Sequence, residues 1–241
     1  MQENLGEHTL WHLPVLGTVH ADTIVTTWIV MALSVAFFAW VGASYRRPIQ
    51  TKRQVVVEGV VNYVADLATS TLGKRGEPFV PFFIALFVFI FLLNQFGFIV
   101  LPFKALWFHT IGSPTADLNT TVPLALAVWL GTWVLFPVTH AKHLLQPFAW
   151  LLPINVIEEF SRPLTLAARL FFNIFVGELL FMIVASIIED RISIGFLNLS
   201  LAVAVVPFFI QFFNFFVGTV QAFVFTLLAI VYFSLAIGES H

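Results

Sequence analysis

The sequence contains no cysteine among its 241 residues, which excludes disulfide frameworks, thiolate metal sites and thiol catalysis. Charged residues are also scarce: they make up 10% of the chain, whereas about 25% is usual for a soluble domain. Hydrophobic residues account for 59%, and the mean hydropathy is +0.95. Because so few charged side chains cannot cover a surface in water, the composition indicates a polytopic membrane protein.

Lysine and arginine are missing from the first 45 positions. A secretory signal peptide begins with a basic segment, so we interpret the first apolar run as a retained membrane span. Four basic residues then lie between positions 46 and 53, and the positive-inside rule places this stretch in the cytoplasm and residues 1–22 outside. The net charge of the whole chain is −2, so no nucleic-acid partner is expected.

Five apolar segments are long enough to cross about 30 Å of hydrocarbon. They cover residues 23–43, 79–101, roughly 121–141, 153–188 and 195–237. As continuous helices, the last two would be about 54 and about 65 Å long at 1.5 Å per residue. We therefore expect them to tilt strongly, to bend or each to divide in two, and Pro207 could bend the second. The parity of five crossings predicts an external turn at 189–195 and an internal C-terminus.

Residues 54–72 predict a helix of a different kind. Apolar residues follow helical spacing on one face, namely Val56, Val60, Val64 and Leu67. Polar residues recur every four positions on another face, namely Glu58, Asn62 and Asp66. The pattern is typical of an amphipathic helix, which lies either on the cytoplasmic membrane surface or against a partner helix. The predicted fold is thus all-α and polytopic, with one integral membrane domain over residues 1–241.

Residues 164–180, LTLAARLFFNIFVGELL, place Arg169, Asn173 and Glu178 inside an apolar segment. An ionised group at mid-bilayer costs at least a few kcal/mol, so a functional role is the default interpretation. At about 100° per residue, Asn173 lies about 40° from Arg169, and Glu178 lies about 180° from it. Glu178 is therefore not a salt-bridge partner of Arg169 within this helix. Two polar faces that point in different directions are what two separate aqueous paths require.

The residues just before this stretch extend the Arg169 face. Arg162 lies at about +20° and Glu158 at about −20° relative to Arg169, if the helix is regular through Pro163. Arg162 is best interpreted as an interfacial anchor, and Glu158 with Glu159 as either functional acids or a solvated helix start. For Arg169 the structural alternative is snorkelling to the interface.

Structural alternatives also exist elsewhere. Glu178 can be a neutral, hydrogen-bonded acid. Asn214, Gly218 and Gln221 share a face of the last segment, where amides either join helices or line a hydrated channel wall. His140 and His143 have a spacing that metal ligands can use, but no third ligand stands beside them. We therefore expect no metal and no cofactor.

These residues give the chain a specific resemblance: it resembles subunit a of the F-type ATP synthase, the stator part of its membrane motor. The resemblance covers most of residues 20–241. Three segments carry it, namely PTADLNTTVPLAL (114–126), PINVIEEFSRPLTLAARLFFNIFVGELL (153–180) and QAFVFTLLAIVYFSLA (221–236). The family pattern R-L-F-G-N reads RLFFN here, with Phe172 in place of the usual glycine.

The resemblance implies a subunit that is not catalytic by itself. It implies that the chain passes protons to a ring of c-subunits and contacts b-type peripheral stalk subunits, and that residues 153–237 form a long helical hairpin carrying the proton path. The stretch IEEFSRPL and the ending IGESH are more similar to cyanobacterial and chloroplast members, so a thylakoid membrane is the alternative to a bacterial plasma (inner) membrane. A self-contained ion channel or secondary transporter is the competing function, but the internal repeat usual in transporters is not visible.

The resemblance also implies roles for single residues. Arg169 matches the essential arginine, which separates two aqueous half-channels. Asn173, Glu178 and Gln221 match polar residues that line or flank these half-channels, and Glu158 is similar to the acid on the cytoplasmic side. Asn214 falls where some members have histidine, so we expect no proton-relaying imidazole there.

Overall fold

The computed structural model describes residues 10–13, 17–45, 52–104, 114–145, 148–193 and 200–237. In these ranges the helices are α1 (Ala21–Ser44), α2 (Lys52–Leu72), α3 (Val80–Lys104), α4 (Leu118–Leu135), α5 (Pro137–Leu145), α6 (Leu152–Ser193) and α7 (Ser200–Ile237). Short 3-10 segments lie at Gly73–Phe79, Pro114–Ala116 and Ala149–Leu151. Five helical segments are long and apolar enough to cross a membrane, which confirms the predicted all-α polytopic fold.

A small hairpin precedes the first span, and the sequence patterns did not indicate it. Strands β1 (Leu10–Leu13) and β2 (Gly17–His20) pair antiparallel, with Leu10 opposite His20. The hairpin belongs to the segment that we expect outside the membrane. The rest of that segment up to residue 20 lies outside the described residues, as do Arg46 and Arg47 of the predicted cytoplasmic loop.

Two predicted boundaries differ from the structure. The third span was expected to reach about residue 141, but α4 ends at Leu135 and α5 begins at Pro137. Proline lacks an N–H and disfavours helical geometry in the preceding residue, and Phe136 accordingly leaves the helix with φ −133° and ψ 52°. The turn expected at 189–195 is wrong for residues 189–193, which belong to α6. Residues 194 and 195 lie outside the described residues.

The last two helices are continuous, so the option that each divides in two is wrong. Helix α6 has 42 residues and includes Pro163, and α7 has 38 residues and includes Pro207. At 1.5 Å per residue they are about 63 and about 57 Å long, roughly twice the hydrocarbon thickness. Helices of this length must cross at a strong tilt or project beyond the bilayer.

Helix α2 forms as predicted, but its buried face is different. Val56 and Val60 are 67% and 43% exposed, whereas Val64, Ala68 and Leu72 are buried. The C-terminal half of α2 packs on α3 and α7, so the side chains that face those helices are covered. Apolar spacing alone did not separate this face from the neighbouring valines. That α2 lies on the cytoplasmic membrane surface stays a prediction.

Contacts between helix ends agree with the predicted topology. Thr23 at the start of α1 donates to Asp117, which caps the start of α4, at 2.8 Å. At the opposite end, Ser234 of α7 donates to the carbonyl of Thr71 in α2 at 3.3 Å. The end of α7 and the end of α2 therefore lie on the same side. That this side is the internal one stays a prediction.

Candidate functional site

Helices α6 and α7 carry all six predicted site residues and form an antiparallel seam, across which three of the six make hydrogen bonds. Near the start of α6, the guanidinium carbon of Arg162 lies 5.9 Å from the ring centroid of Tyr232 in α7. Further along, Asn173 Nδ2 donates to Gln221 Oε1 at 2.7 Å. Beyond that pair, Asn214 Nδ2 of α7 donates to the carbonyl of Gly177 in α6 at 3.2 Å.

The amides on this seam join helices, which is the structural alternative stated above for Asn214 and Gln221. Asn173, Gln221 and Asn214 all bond across from one helix to the other. Gly177 permits the close approach of Asn214, since a methyl group at Gly177 would lie 2.9 Å from Asn214 Cγ. A role in joining helices does not exclude a role on a proton path, because both need polar atoms at this depth.

Helix α3 contacts the other side of α7 through two neighbouring amides. Asn94 Nδ2 donates to the carbonyl of Gly218 at 3.0 Å. Gln95 Nε2 donates at 3.1 Å to the carbonyl of Phe215 and at 3.1 Å to Thr219 Oγ1. Gly218 lies between α3 and α6, since a methyl group there would lie 3.2 Å from Asn94 Cβ and 3.8 Å from Ile174 Cδ1. The common face predicted for Asn214, Gly218 and Gln221 stays a prediction.

Arg169 is exposed on the surface of α6, about halfway along a candidate span that covers Leu152–Val184. On the same face of the helix, Phe172 and Val176 are large, apolar and exposed, and Thr165, four residues earlier, is exposed as well. Among the residues that the structure describes, no carboxylate pairs with the guanidinium of Arg169. An arginine in this position needs a partner from outside the chain, or water.

Glu178 is half-buried and lies on the other side of α6. On the helical wheel, buried Leu166, Leu170 and Gly177 fall at about +60 to +100° relative to Arg169, and Glu178 falls at about 180°. The buried stripe, which packs on α7, therefore lies between the two charged residues. This arrangement keeps the faces that carry Arg169 and Glu178 apart along the helix.

In the second and third turns of α6, one guanidinium pairs with two carboxylates. Arg162 Nη2 lies 3.0 Å from Glu158 Oε1, and Arg162 Nη1 lies 3.1 Å from Glu159 Oε2. The side chain of Glu158 is 64% exposed and that of Glu159 is 6% exposed. The solvated helix start is therefore wrong for Glu159, because α6 begins seven residues earlier, at Leu152, and α4 covers this carboxylate.

Helix α4 supplies the groups that hold Glu159. Trp129 Nε1 and Trp133 Nε1 donate to Glu159 Oε1 at 3.0 and 3.2 Å. The two indoles are four residues apart, so they lie on one face of α4. Sequence reasoning missed this contact, although paired tryptophans at that spacing were a visible signal. A cavity of about 340 Å³ is lined by Trp129, Trp133, Phe160 and Glu159, among others, and does not include Arg169 or Glu178.

The expectation of no metal at the histidines of α5 stays a prediction. The side chains of His140 and His143 lie outside the described part of the structure. Among the described residues, no group of three or more His, Asp and Glu side chains is placed to hold a metal ion.

The chain matches one protein-family model. The model is described as the ATP synthase A chain, and it matches residues 24–234. The matched range leaves out 23 residues at the start and seven at the end, and it contains the seam, Arg169, Glu178 and the Glu158–Arg162–Glu159 cluster.

Proposed function

Because the chain belongs to the ATP synthase A chain family, and is thus a non-catalytic subunit of the proton-translocating membrane sector, we propose that Arg169 separates two aqueous half-channels to the carboxylates of a c-subunit ring. Proton flow through these half-channels turns the ring and so drives ATP synthesis elsewhere in the complex. The c-ring faces the exposed side of α6, and b-type stalk subunits hold the chain still against it.

The observation that carries this proposal is the exposed guanidinium of Arg169 in apolar surroundings halfway along α6. A ring carboxylate that passes Arg169 is stabilised in its ionised form, because opposite charges attract strongly where water is scarce. Arginine stays protonated under essentially all conditions, so it cannot relay the proton itself. Its fixed charge therefore blocks a proton from crossing directly between the two half-channels.

The two half-channels are assigned to the two sides of the seam. On the external side, Glu178 takes the proton in, with Asn214 beside it on α7. Asn173 and Gln221 flank the seam between this entry and the cytoplasmic side. Buried Gln221 Nε2 has no hydrogen-bond partner among the described residues, and such atoms are normally satisfied by protein or ordered water, which supports hydration near the seam.

On the cytoplasmic side, Glu158 accepts the proton that the ring carboxylate releases. It is exposed, it lies on the same face of α6 as Arg169, and it is three turns nearer the start of the helix. Each proton that crosses contributes about 2.3 kcal/mol per 100 mV of membrane potential. Several such steps must combine for each ATP that is made.

Substitution of Arg169 tests the proposal. We expect Arg169→Ala to abolish proton-driven ATP synthesis while the complex still assembles, because no fixed cation then favours the ionised ring carboxylate. We expect Arg169→Lys to fail largely as well, since a flexible ammonium lacks the planar fork of arginine and can lose its proton when desolvated. ATP synthesis and passive proton leak are measured in vesicles that carry each variant.

The matched control is Arg53→Ala, which removes an exposed arginine from the first turn of α2. It should leave both synthesis and leak near the level of the unchanged chain. Near-normal synthesis in the Arg169→Lys variant would contradict the proposal, because a residue that only snorkels to the interface is replaceable by lysine.

A further inference from the structure

The cluster at the start of α6 contains one more acid than it needs to neutralise its cation. Arg162 is flanked by Glu158 and Glu159, and each carboxylate takes a different nitrogen of the guanidinium. With both acids ionised the three side chains carry a net charge of −1, and with one acid protonated they carry 0. In either state, at least one carboxylate remains opposite the guanidinium.

The two carboxylates differ in how firmly they are held. Glu159 is buried, and its Oε1 accepts two indole N–H groups from α4 while its Oε2 faces Arg162. The three groups in these contacts are all donors, and the carboxylate form, which only accepts, suits them. Glu158 is mostly exposed, and Arg162 is its neighbour at 3.0 Å.

Removal of both carboxylates that face Arg162 would destabilise the protein. The side chain of Arg162 is 14% exposed, and its guanidinium lies against the ring of Tyr232. A largely buried guanidinium that loses its ion-pair partner strongly lowers the stability of the folded protein. Beyond the acids, the neighbouring groups are Tyr232 of α7, with which Arg169 also interacts electrostatically, and the non-ionising indoles of α4. Lys142 of α5 is exposed to solvent.

We infer that Glu159, held by Trp129 and Trp133, is the permanent counter-ion of Arg162, and that Glu158 can therefore take up and release a proton without leaving a buried unpaired cation. This inference rests on the proposed role of Glu158 as the acid of the cytoplasmic half-channel. Glu159, Trp129 and Trp133 are positioning residues, because they act on the proton path through Arg162.

Because either of two carboxylates can pair with Arg162, the inference predicts a specific pattern of effects in a set of variants. The variants are Glu158→Gln, Glu159→Gln, the double variant, and the double variant with Arg162→Gln. Two quantities are measured: the amount of chain in assembled complexes, and proton-driven ATP synthesis per assembled complex in vesicles. We expect each single variant to assemble near normally, because one carboxylate still faces Arg162.

The double variant should assemble several-fold less, by more than the two single effects combined, since it leaves Arg162 unpaired. Adding Arg162→Gln should restore assembly, because it removes the uncompensated charge. Per assembled complex, Glu159→Gln should slow synthesis, since Glu158 must then stay ionised to pair with Arg162. Trp129→Phe with Trp133→Phe should do the same more weakly, whereas Trp28→Phe, at an exposed indole of α1, should not.

Additive single effects, or no recovery on adding Arg162→Gln, would overturn the inference, as would unchanged synthesis per complex in Glu159→Gln. Failure of the proposed exit path is distinguishable from this result. In that case, complexes that carry Glu158→Gln would synthesise ATP at the unchanged rate. This outcome does not depend on how well the double variant assembles.

Discussion

Arg169 and Glu178 are nine residues apart on α6, and the two ionisable groups lie on opposite edges of the stripe that packs on α7. Their chemistry differs as much as their position does. The guanidinium keeps its proton, so it can act only as a fixed charge, whereas a carboxylate can gain and lose a proton near neutral pH when its surroundings favour it. One helix can thus carry a barrier on one side and a relay on the other.

Glu178→Gln tests the relay at this scale. We expect slower proton entry and slower ATP synthesis with some activity left, because water and the nearby amide of Asn214 can partly replace one carboxylate. The loss should stay below the roughly 100-fold that removal of a fully positioned proton-transfer group costs. Proton flux is measured in reconstituted vesicles, with Glu77→Gln, at an exposed position before α3, as the control. Unchanged flux across the working pH range would return Glu178 to a structural role.

Much of the site could be predicted from the sequence, because an arginine or a glutamate inside an apolar run is visible without coordinates. The residues that contact these charged side chains could not be predicted. Glu159 stands next to Glu158 in the chain, and only the position of α4 shows that one is held by two indoles while the other is exposed. Asn94 and Gln95 were visible as polar residues in a span, but the sequence did not indicate that they contact α7.

The existence of the membrane helices follows from hydropathy, but the faces they present to one another do not. In a membrane, lipid is as apolar as the packed interior, so the side of a helix that meets a neighbour is set by small residues and polar contacts. The valines of α2 show this: Val56 and Val60 are as apolar as Val64, yet only Val64 is buried. On α6 and α7 the register is set by Gly177, Asn214, Asn173 and Gln221.

Gly177→Ala tests the seam between these elements. The added methyl group would contact the side chain of Asn214 closely enough that one of them must shift, and the bond from Asn214 to the carbonyl of Gly177 would be lost or distorted. Overpacking of this kind costs about 1–3 kcal/mol. The measurement is the temperature at which the purified membrane sector loses this chain. Gly131→Ala is the control, since a methyl group there meets nothing within 4 Å.

The Gly177→Ala variant should lose the chain at a lower temperature than the unchanged protein, while Gly131→Ala should be as stable or slightly more stable because alanine favours the helix. Combining Gly177→Ala with Asn214→Ala removes the contacted amide, so part of the lost stability should return. Equal stability of the two glycine variants would show that the seam tolerates a wider spacing than the packed structure has.

At the scale of the whole molecule, the helix ends divide into two groups. The starts of α1 and α4 meet through Thr23 and Asp117, and the ends of α2 and α7 meet through Thr71 and Ser234. The cluster around Arg162 belongs to the second group, because it joins the start of α6 to Tyr232, five residues before the end of α7. A proton path that enters near Glu178 and leaves near Glu158 therefore runs from one group of ends to the other.

Labelling of single cysteines tests which group faces the cytoplasm, and the absence of native cysteine makes each introduced thiol unique. Asn119→Cys lies at the exposed start of α4, and Ser70→Cys lies at the exposed end of α2. We expect a membrane-impermeant thiol reagent to label Asn119→Cys and Asn4→Cys from outside and Ser70→Cys from the cytoplasmic side. The reason is that α1 crosses between positions 4 and 70 and α3 crosses back between positions 70 and 119, while the basic loop stays inside. The unchanged chain, which has no thiol, is the control for background labelling.

Labelling of Ser70→Cys and Asn119→Cys from the same side would contradict the crossing of α3. Labelling of all three positions from the reverse sides would preserve the fold but invert the assignment of Glu178 to entry and Glu158 to exit.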